Sequence, residues 1–174
     1  MKTIILSLAI AIMLPVLAGA QKREVPRMNF EFGGGANFWA CKDGGLKVEA
    51  GPSFFIEGRY NMDEFPVNVG LHIDISAFRR KREYNDYEKP RSLKFVIVGD
   101  YSPRRGKYVS PFAGIGIGIA SDEHDFEMHT PPRTGICLMP RVGVRLLKHI
   151  AFTLDYEISH VSHNHFDFKM GFYL

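Results

Sequence analysis

The sequence predicts an all-β fold, an eight-stranded antiparallel up-and-down transmembrane β-barrel. Three observations predict it: an export leader, eight segments that alternate apolar and polar residues, and connections of unequal length. Residues 165–174 show the alternation most clearly, and their apolar face consists of Phe166, Phe168, Met170, Phe172 and Leu174. The side chains of a strand alternate between two faces, and about 9–11 residues of tilted strand cross a bilayer. This segment is therefore predicted to span a membrane.

The first 20 residues are predicted to be a secretory signal peptide. Lys2 supplies a positive charge, residues 4–14 are apolar, and Ala18-Gly19-Ala20 matches an A-x-A cleavage site. The apolar run is too short for a transmembrane helix. The chain then divides into a signal peptide at 1–20, a periplasmic lead at 21–27 and the barrel at 28–174.

Period-two alternation predicts eight strands. They are Met28–Trp39, Leu46–Tyr60, Val67–Phe78, Ser92–Tyr101, Tyr108–Ala120, Thr134–Leu147, Ala151–His160 and His165–Leu174. Short turns are predicted at 61–66, 102–107 and 148–150. Two connections, 79–91 and 121–132, are long and charged. Short periplasmic turns and long outer loops are typical of outer-membrane barrels, so we expect the two long loops to face outward.

The polar face of the strands predicts which side of the sheet lines the interior, since alternation alone also fits a soluble barrel. Its bases are Lys47, Arg59, Lys94, Arg141, Arg145 and Lys169. Its acids are Glu31, Glu49, Glu57, Asp74, Asp100, Asp155, Glu157 and Asp167. Most strand glycines share this face, which suits an eight-stranded interior that is only just wide enough for side chains. We therefore expect a charged interior, an apolar exterior, and Tyr60 and Tyr101 in a periplasmic aromatic girdle.

Composition argues against several other classes of protein. The formal net charge of the full chain is +3, and cleavage of the signal peptide removes only Lys2 of the charged residues. A chain so close to neutral does not indicate nucleic-acid binding. Two cysteines, Cys41 and Cys137, are too few for a disulfide scaffold, and one disulfide or two free thiols are both open. The glycines of 114–118 lie within a predicted strand rather than a dinucleotide-binding turn, and we expect no cofactor.

The signal peptide, the eight hairpin-linked strands, the glycine-alternating segment 109–118 and the final Gly171-Phe-Tyr-Leu174 resemble the small outer-membrane β-barrel family. Within that family the likeness is to the OmpA transmembrane domain and OmpX, over essentially the whole mature chain. The resemblance implies the fold and an outer-membrane location. It also implies that the C-terminal strand is recognised by the barrel-insertion machinery, although Leu174 replaces the more usual terminal Phe or Trp. We expect a monomer with a structural or adhesion-like role, whose outer loops contact a surface ligand that the sequence does not identify.

A basic cluster in the first long loop is the candidate binding site. It consists of Arg79, Arg80, Lys81 and Arg82. Clustered cations at the outer rim would attract the phosphate groups of lipopolysaccharide by Coulomb interaction. A solvated loop tip is the alternative.

Residues 160–165 carry two further candidates. His160, His163 and His165 could bind a metal through their imidazoles, but a polar strand end explains them and we expect no metal. His160-Val161-Ser162 resembles the His-x-Ser pair of outer-membrane lipid A deacylases, in which the histidine activates the serine. The strand alternation places the side chains of His160 and Ser162 on the outward face. No acid is expected on that face near His160 to orient its imidazole. A non-enzymatic barrel is therefore preferred, with a lipid A hydrolase as the alternative.

Overall fold

The strands were located in a computed structural model. It describes residues 26–39, 48–77, 79–81, 87–88, 91–105, 108–123, 132–147, 149–159 and 164–174. The strands in this part of the chain are β1 (Met28–Trp39), β2 (Val48–Glu49), β3 (Gly51–Asn61), β4 (Val67–Ala77), β5 (Arg79–Lys81), β6 (Tyr87–Glu88), β7 (Arg91–Tyr101), β8 (Val109–Glu123), β9 (Arg133–Leu146), β10 (Ile150–Ser159) and β11 (His165–Tyr173). Among the described residues, none forms a helix with the length and apolar character needed to cross a membrane.

Eight of these strands close a barrel in the order β1-β11-β10-β9-β8-β7-β4-β3. All neighbouring pairs in it are antiparallel. The first and last strands complete the closure, with Phe32 opposite Phe172 and Phe38 opposite Phe166. Closure gives each of the eight barrel strands a neighbour on both sides, as a backbone surrounded by lipid requires. The predicted eight-stranded antiparallel barrel is confirmed.

The apolar phase of the strands faces outward and the polar phase faces inward. Along β3, Phe54 and Ile56 are 67% and 57% exposed, whereas the intervening Phe55 and the following Glu57 are buried. The same alternation runs along β7 and β11. Tyr60 and Tyr101 lie on the outward face, as the sequence predicts. Because the apolar side chains cover the outside, the barrel presents a lipid-compatible wall.

The second predicted strand, 46–60, is corrected by the structure. Its barrel portion begins only at Gly51, and β2 leaves the barrel to pair with β5. At this point the Gly51 amide donates to Oδ1 of Asn37 at 2.9 Å, and a side chain on Gly51 would overlap the carbonyl of Ala77. Only glycine fits so close to a neighbouring backbone, and the chain turns out of the barrel just before it.

The two long loops, 79–91 and 121–132, are also shorter than predicted. The first contains β5 and β6, and its last residue, Arg91, already begins β7. The second loses residues 121–123 to β8, which continues beyond Ala120. The register of this extension places Glu123 opposite Arg91 and Asp122 opposite Arg133. Residues of opposite charge at paired positions of neighbouring strands favour such an extension.

Short turns join the strands at one end of the barrel, which we call the turn end; the opposite end is the loop end. The β3–β4 turn occupies residues 62–66, and the β9–β10 turn contains Leu147 in a left-handed conformation, with φ 52°. Arg105, in the turn that follows β7, donates to the Met62 carbonyl in the β3–β4 turn, and to the Val67 carbonyl at 3.2 Å and Oδ1 of Asn68 at 3.0 Å at the start of β4. The turn end is therefore tied together by its own hydrogen bonds.

Candidate functional site at the interior and the outer rim

The interior near the turn end is organised around Arg59. Its guanidinium lies 2.6 Å from Oε2 of Glu31 and 3.7 Å from Oδ2 of Asp100, and it also contacts Glu57. Arg145 approaches the same Asp100 at 2.8 Å. The guanidinium of Arg145 lies 4.2 Å from the centre of the Phe112 ring, and that of Arg141 lies 5.6 Å from it. A carbon at the position of a Gly143 side chain would lie only 2.6 Å from Phe112 Cε1, so the glycine makes room for this ring.

Arg141 and His72 occupy the middle of the interior. Arg141 lies 2.9 Å from Oε2 of Glu57 and 3.5 Å from Oδ1 of Asp155. Nδ1 of His72 lies 2.8 Å from the same Glu57 oxygen, and its Nε2 lies 3.2 Å from Nζ of Lys169. Phe55 stacks on the His72 ring with 5.4 Å between the centroids. The imidazole thus connects the two halves of the ion-pair network.

Lys94 and Lys169 neutralise the acids nearer the loop end. The ammonium of Lys94 lies 2.9 Å from both Glu157 and Asp167 and 3.3 Å from Asp74. The ammonium of Lys169 lies 2.8 Å from Asp74 and 3.0 Å from Asp155. Both lysines are excluded from solvent. Burial of a charge is costly unless it is paired, so these acids and bases depend on one another.

The predicted charged interior is confirmed for the residues of the barrel strands. Buried there are Arg59, Lys94, Arg141, Arg145 and Lys169, with Glu31, Glu57, Asp74, Asp100, Asp155, Glu157 and Asp167. Two members of the predicted set are not among them: Lys47 lies outside the described residues, and Glu49 belongs to β2 rather than to the barrel. Paired side chains therefore fill the described interior.

Glu157, His165 and Asp167 form a cluster with potential metal ligands within 4.8 Å of one another. The Lys94 ammonium already lies among them, 2.9 Å from each carboxylate and 3.3 Å from Nε2 of His165. A cation could bind these groups only if Lys94 moved away. His160 and His163, the other members of the predicted histidine group, lie outside the described residues.

A small apolar cluster completes the interior beside β7, β8 and β9. Its members are Val96, Val98, Ala120, Cys137 and Met139. Cys137 is a buried thiol, and Cys41 lies outside the described residues.

The predicted basic cluster lies at the loop end, on a small sheet of strand order β2-β5-β6. Arg79, Arg80 and Lys81 make up β5, and Arg82 lies outside the described residues. The register places Arg79 opposite Glu49 and Arg80 opposite Glu88. The sheet therefore brings acids from two outer loops to positions facing the basic strand. Sequence reasoning missed this arrangement, because it assigned residues 79–91 to a loop.

The His160–Ser162 pair lies outside the described residues. The strands on either side of it are described up to Ser159 and from residue 164 onward. Their nearest acids, Glu157 and Asp167, are buried in the interior beside Lys94. These acids therefore do not lie on the lipid-facing side, where the predicted phase puts His160 and Ser162.

The closed apolar-walled barrel with short turns at one end defines a class of protein, the outer-membrane β-barrels. The chain belongs to the family described as "Outer membrane protein beta-barrel domain", whose profile matches residues 4–172. In outer-membrane barrels the short turns are periplasmic, so the turn end is the periplasmic end. No curated protein matches the chain.

Solved structures of small outer-membrane barrels are similar to the chain in fold. Neisserial surface protein A has 12% identity and a TM-score of 0.54, and the alignment covers 84% of this chain and 95% of that one. Ail of Yersinia pestis, in a phospholipid nanodisc, has 15% identity and a TM-score of 0.49, with 84% and 98% covered. The outer membrane enzyme PagL has 12% identity and a TM-score of 0.45, and the alignment covers 84% of this chain and 98% of PagL.

Proposed function

We propose that the protein is a non-enzymatic outer-membrane barrel that works at the cell surface, through outer loops whose basic segment contacts lipopolysaccharide phosphates. The filled interior carries this proposal. Arg59, Arg141, Lys94 and Lys169 are buried and paired along the length of the barrel. These buried, paired side chains occupy space through which a solute would otherwise pass. Activity is then expected at the outer surface.

The small sheet at the loop end supports a surface role. Strand β2 belongs to the connection between β1 and β3, while β5 and β6 belong to the connection between β4 and β7. Backbone pairing of β5 with β2 and β6 therefore joins two outer loops in one sheet. Arg91 and Arg133 are exposed at the same end, at positions paired with Glu123 and Asp122. Cations beside an anionic membrane surface contribute about 1 kcal/mol each to binding.

The experiment measures binding of vesicles that contain lipopolysaccharide to the purified barrel in nanodiscs. One variant combines Arg79→Ala, Arg80→Ala, Lys81→Ala and Arg82→Ala. It is expected to bind up to roughly a thousandfold more weakly, because four cations that contribute about 1 kcal/mol each are lost. The matched control combines Arg79→Lys, Arg80→Lys and Arg82→Lys, which keeps every charge and should bind nearly as well as the wild type.

A second comparison uses vesicles with enzymatically dephosphorylated lipopolysaccharide. Binding of the wild type should fall with the loss of phosphate and with rising salt, because exposed charges are screened. Equal binding of phosphorylated and dephosphorylated lipid, or full binding by the alanine variant, would contradict the proposed phosphate contact.

A further inference from the structure

A row of small polar side chains crosses the inner face of four neighbouring strands near the loop end. Asp122 of β8 lies opposite Ser92 of β7. Ser76 of β4 lies opposite Ser92 on one side and opposite Ser53 of β3 on the other. All four residues are at most 8% exposed, and we call them the serine row. Because neighbouring strands are about 4.8 Å apart, each side chain lies beside the next one in the row.

Several oxygens of the serine row lack hydrogen-bond partners. Within the part of the chain that the structure describes, Oγ of each serine and Oδ1 of Asp122 form no hydrogen bond of normal geometry. Ser92 lies close enough to Asp122 to interact with its carboxylate, yet Oδ1 is left without a donor. Arg133, opposite Asp122 on β9, is exposed to solvent. Buried polar atoms are costly when unpaired, so a bound water or ion is favoured beside this row.

The charge of the interior favours a cation over water alone. Among the described residues, eight acids are buried but only five lysines and arginines. If both buried imidazoles, His72 and His165, were protonated, one negative charge would still be in excess. The excess falls mainly on the loop-end half, where five acids share Lys94 and Lys169, and Arg141 reaches one of them at 3.5 Å. These acids are Asp74, Asp122, Asp155, Glu157 and Asp167.

The serine row lies beside the Lys94 ion pairs and does not compete with them. The next inward positions toward the turn end on β7, β4 and β3 are Lys94, Asp74 and Phe55, which lie opposite one another in the same way. Their side chains are larger than those of the serines, so the serine row leaves more room in the interior. A cation there would not displace the Lys94 ammonium from Glu157 and Asp167.

We propose that the serine row binds one hard divalent cation, of the Ca²⁺ class, through the carboxylate of Asp122 and the hydroxyl oxygens of Ser92 and Ser76. Ca²⁺ takes oxygen ligands at about 2.3–2.6 Å, so two of its ligands are at most about 5 Å apart. Opposite side chains on neighbouring strands have Cβ atoms about 4.5–5.5 Å apart, which fits this separation. The ion supplies both the missing partner and positive charge. The site does not involve the basic segment at the rim.

The test measures Ca²⁺ binding to the folded barrel in uncharged maltoside micelles, which contain no phosphate to bind the ion. Titration calorimetry with calcium chloride should show one ion per barrel. Because the site has a single carboxylate, the expected dissociation constant is on the order of 10⁻⁴–10⁻³ M. Calcium chloride should also raise the urea concentration at half unfolding more than potassium chloride of equal ionic strength, because a specifically bound ion stabilises the folded state.

Two variants with matched controls locate the ion. Asp122→Asn keeps the shape of the side chain, removes its charge and should weaken binding roughly tenfold or more. Its control, Asp63→Asn, removes a carboxylate that is 56% exposed at the turn end and should bind as the wild type does. Ser76→Ala should weaken binding severalfold, whereas Thr153→Val, which removes another buried hydroxyl without a hydrogen bond in the described structure, should not. Altered migration of unheated samples in gels confirms that each variant is folded.

Four results would overturn the proposal. The first is the absence of saturable Ca²⁺ binding to the wild-type barrel. The second is equal affinity of the wild type and Asp122→Asn for the ion. The third is equal weakening of binding by Ser76→Ala and Thr153→Val. The fourth is equal stabilisation by calcium chloride and by potassium chloride of the same ionic strength, because this would indicate general screening.

Discussion

At the scale of single residues, Lys94 contacts several acids of the interior at once. Its ammonium lies within 3.3 Å of Asp74, Glu157 and Asp167 and of His165 Nε2. Removal of one partner from a buried ion pair is far more costly than loss of an exposed pair, because the remaining charges stay buried without compensation. Lys94 shares Asp74 and Asp167 with Lys169, but among these contacts it alone pairs with Glu157, so its loss leaves buried acids with less compensation.

We expect Lys94→Met to destabilise the folded barrel by about 3–5 kcal/mol in urea titrations in lipid vesicles. The matched control is Arg27→Met, since Arg27 pairs with Asp63 at 3.1 Å but is 72% exposed. An exposed pair contributes little, so the control should unfold at nearly the wild-type urea concentration. Equal effects of the two substitutions would contradict the account of the interior.

A test of His160 and Ser162 distinguishes a lipid A hydrolase from a non-enzymatic barrel. A hydrolase would release a fatty acid from lipid A, and Ser162→Ala would remove most of that rate because nucleophile and base act as a unit. We expect the lipid A of cells with the protein to have the same mass as that of cells without it. Loss of one acyl chain in wild-type cells, but not in the Ser162→Ala strain, would overturn the non-enzymatic assignment.

At the scale of elements, β8 tests which face of the strands meets lipid. Ile117 and Val109 are 59% and 52% exposed on the same face, Ile117 near the middle of the strand and Val109 at its periplasmic end. Arginine on the lipid face costs about 2–4 kcal/mol at the bilayer midplane and about 0–1 kcal/mol near an interface. Ile117→Arg should therefore unfold at a clearly lower urea concentration than Val109→Arg. Similar effects at both positions would argue against a membrane-spanning β8.

The strands show why the fold could be predicted and some local features could not. Period-two alternation is visible in sequence, so it identified the strands and the inward charges of residues such as Lys94 and Asp167. The pairing of β2 with β5 depends on contacts between distant loops, which alternation does not encode. The bridging role of His72 likewise depends on side chains that meet across the barrel. Pro140 was a usable signal, because a proline within a strand cannot donate a hydrogen bond to the neighbouring strand. The pairing of β9 with β10 does skip positions 139 and 140.

At the scale of the whole molecule, location is the first question, because the leader and the mature N-terminus stay predictions. We expect N-terminal sequencing of the mature protein to begin at Gln21. The protein should fractionate with the outer membrane and migrate differently in unheated and boiled gels, as folded barrels do. An intact Met1, or recovery from the soluble periplasm, would contradict the predicted export.

The central claim is that paired side chains fill the barrel, so that the protein functions through its outer surface and not through its interior. Conductance across a planar bilayer tests this most directly, with a general porin recorded under the same conditions as the positive control. An eight-stranded interior is only just wide enough for its side chains, and here they are paired charges. The account predicts no steady openings after insertion of the folded protein. Steady nanosiemens-scale openings would contradict it.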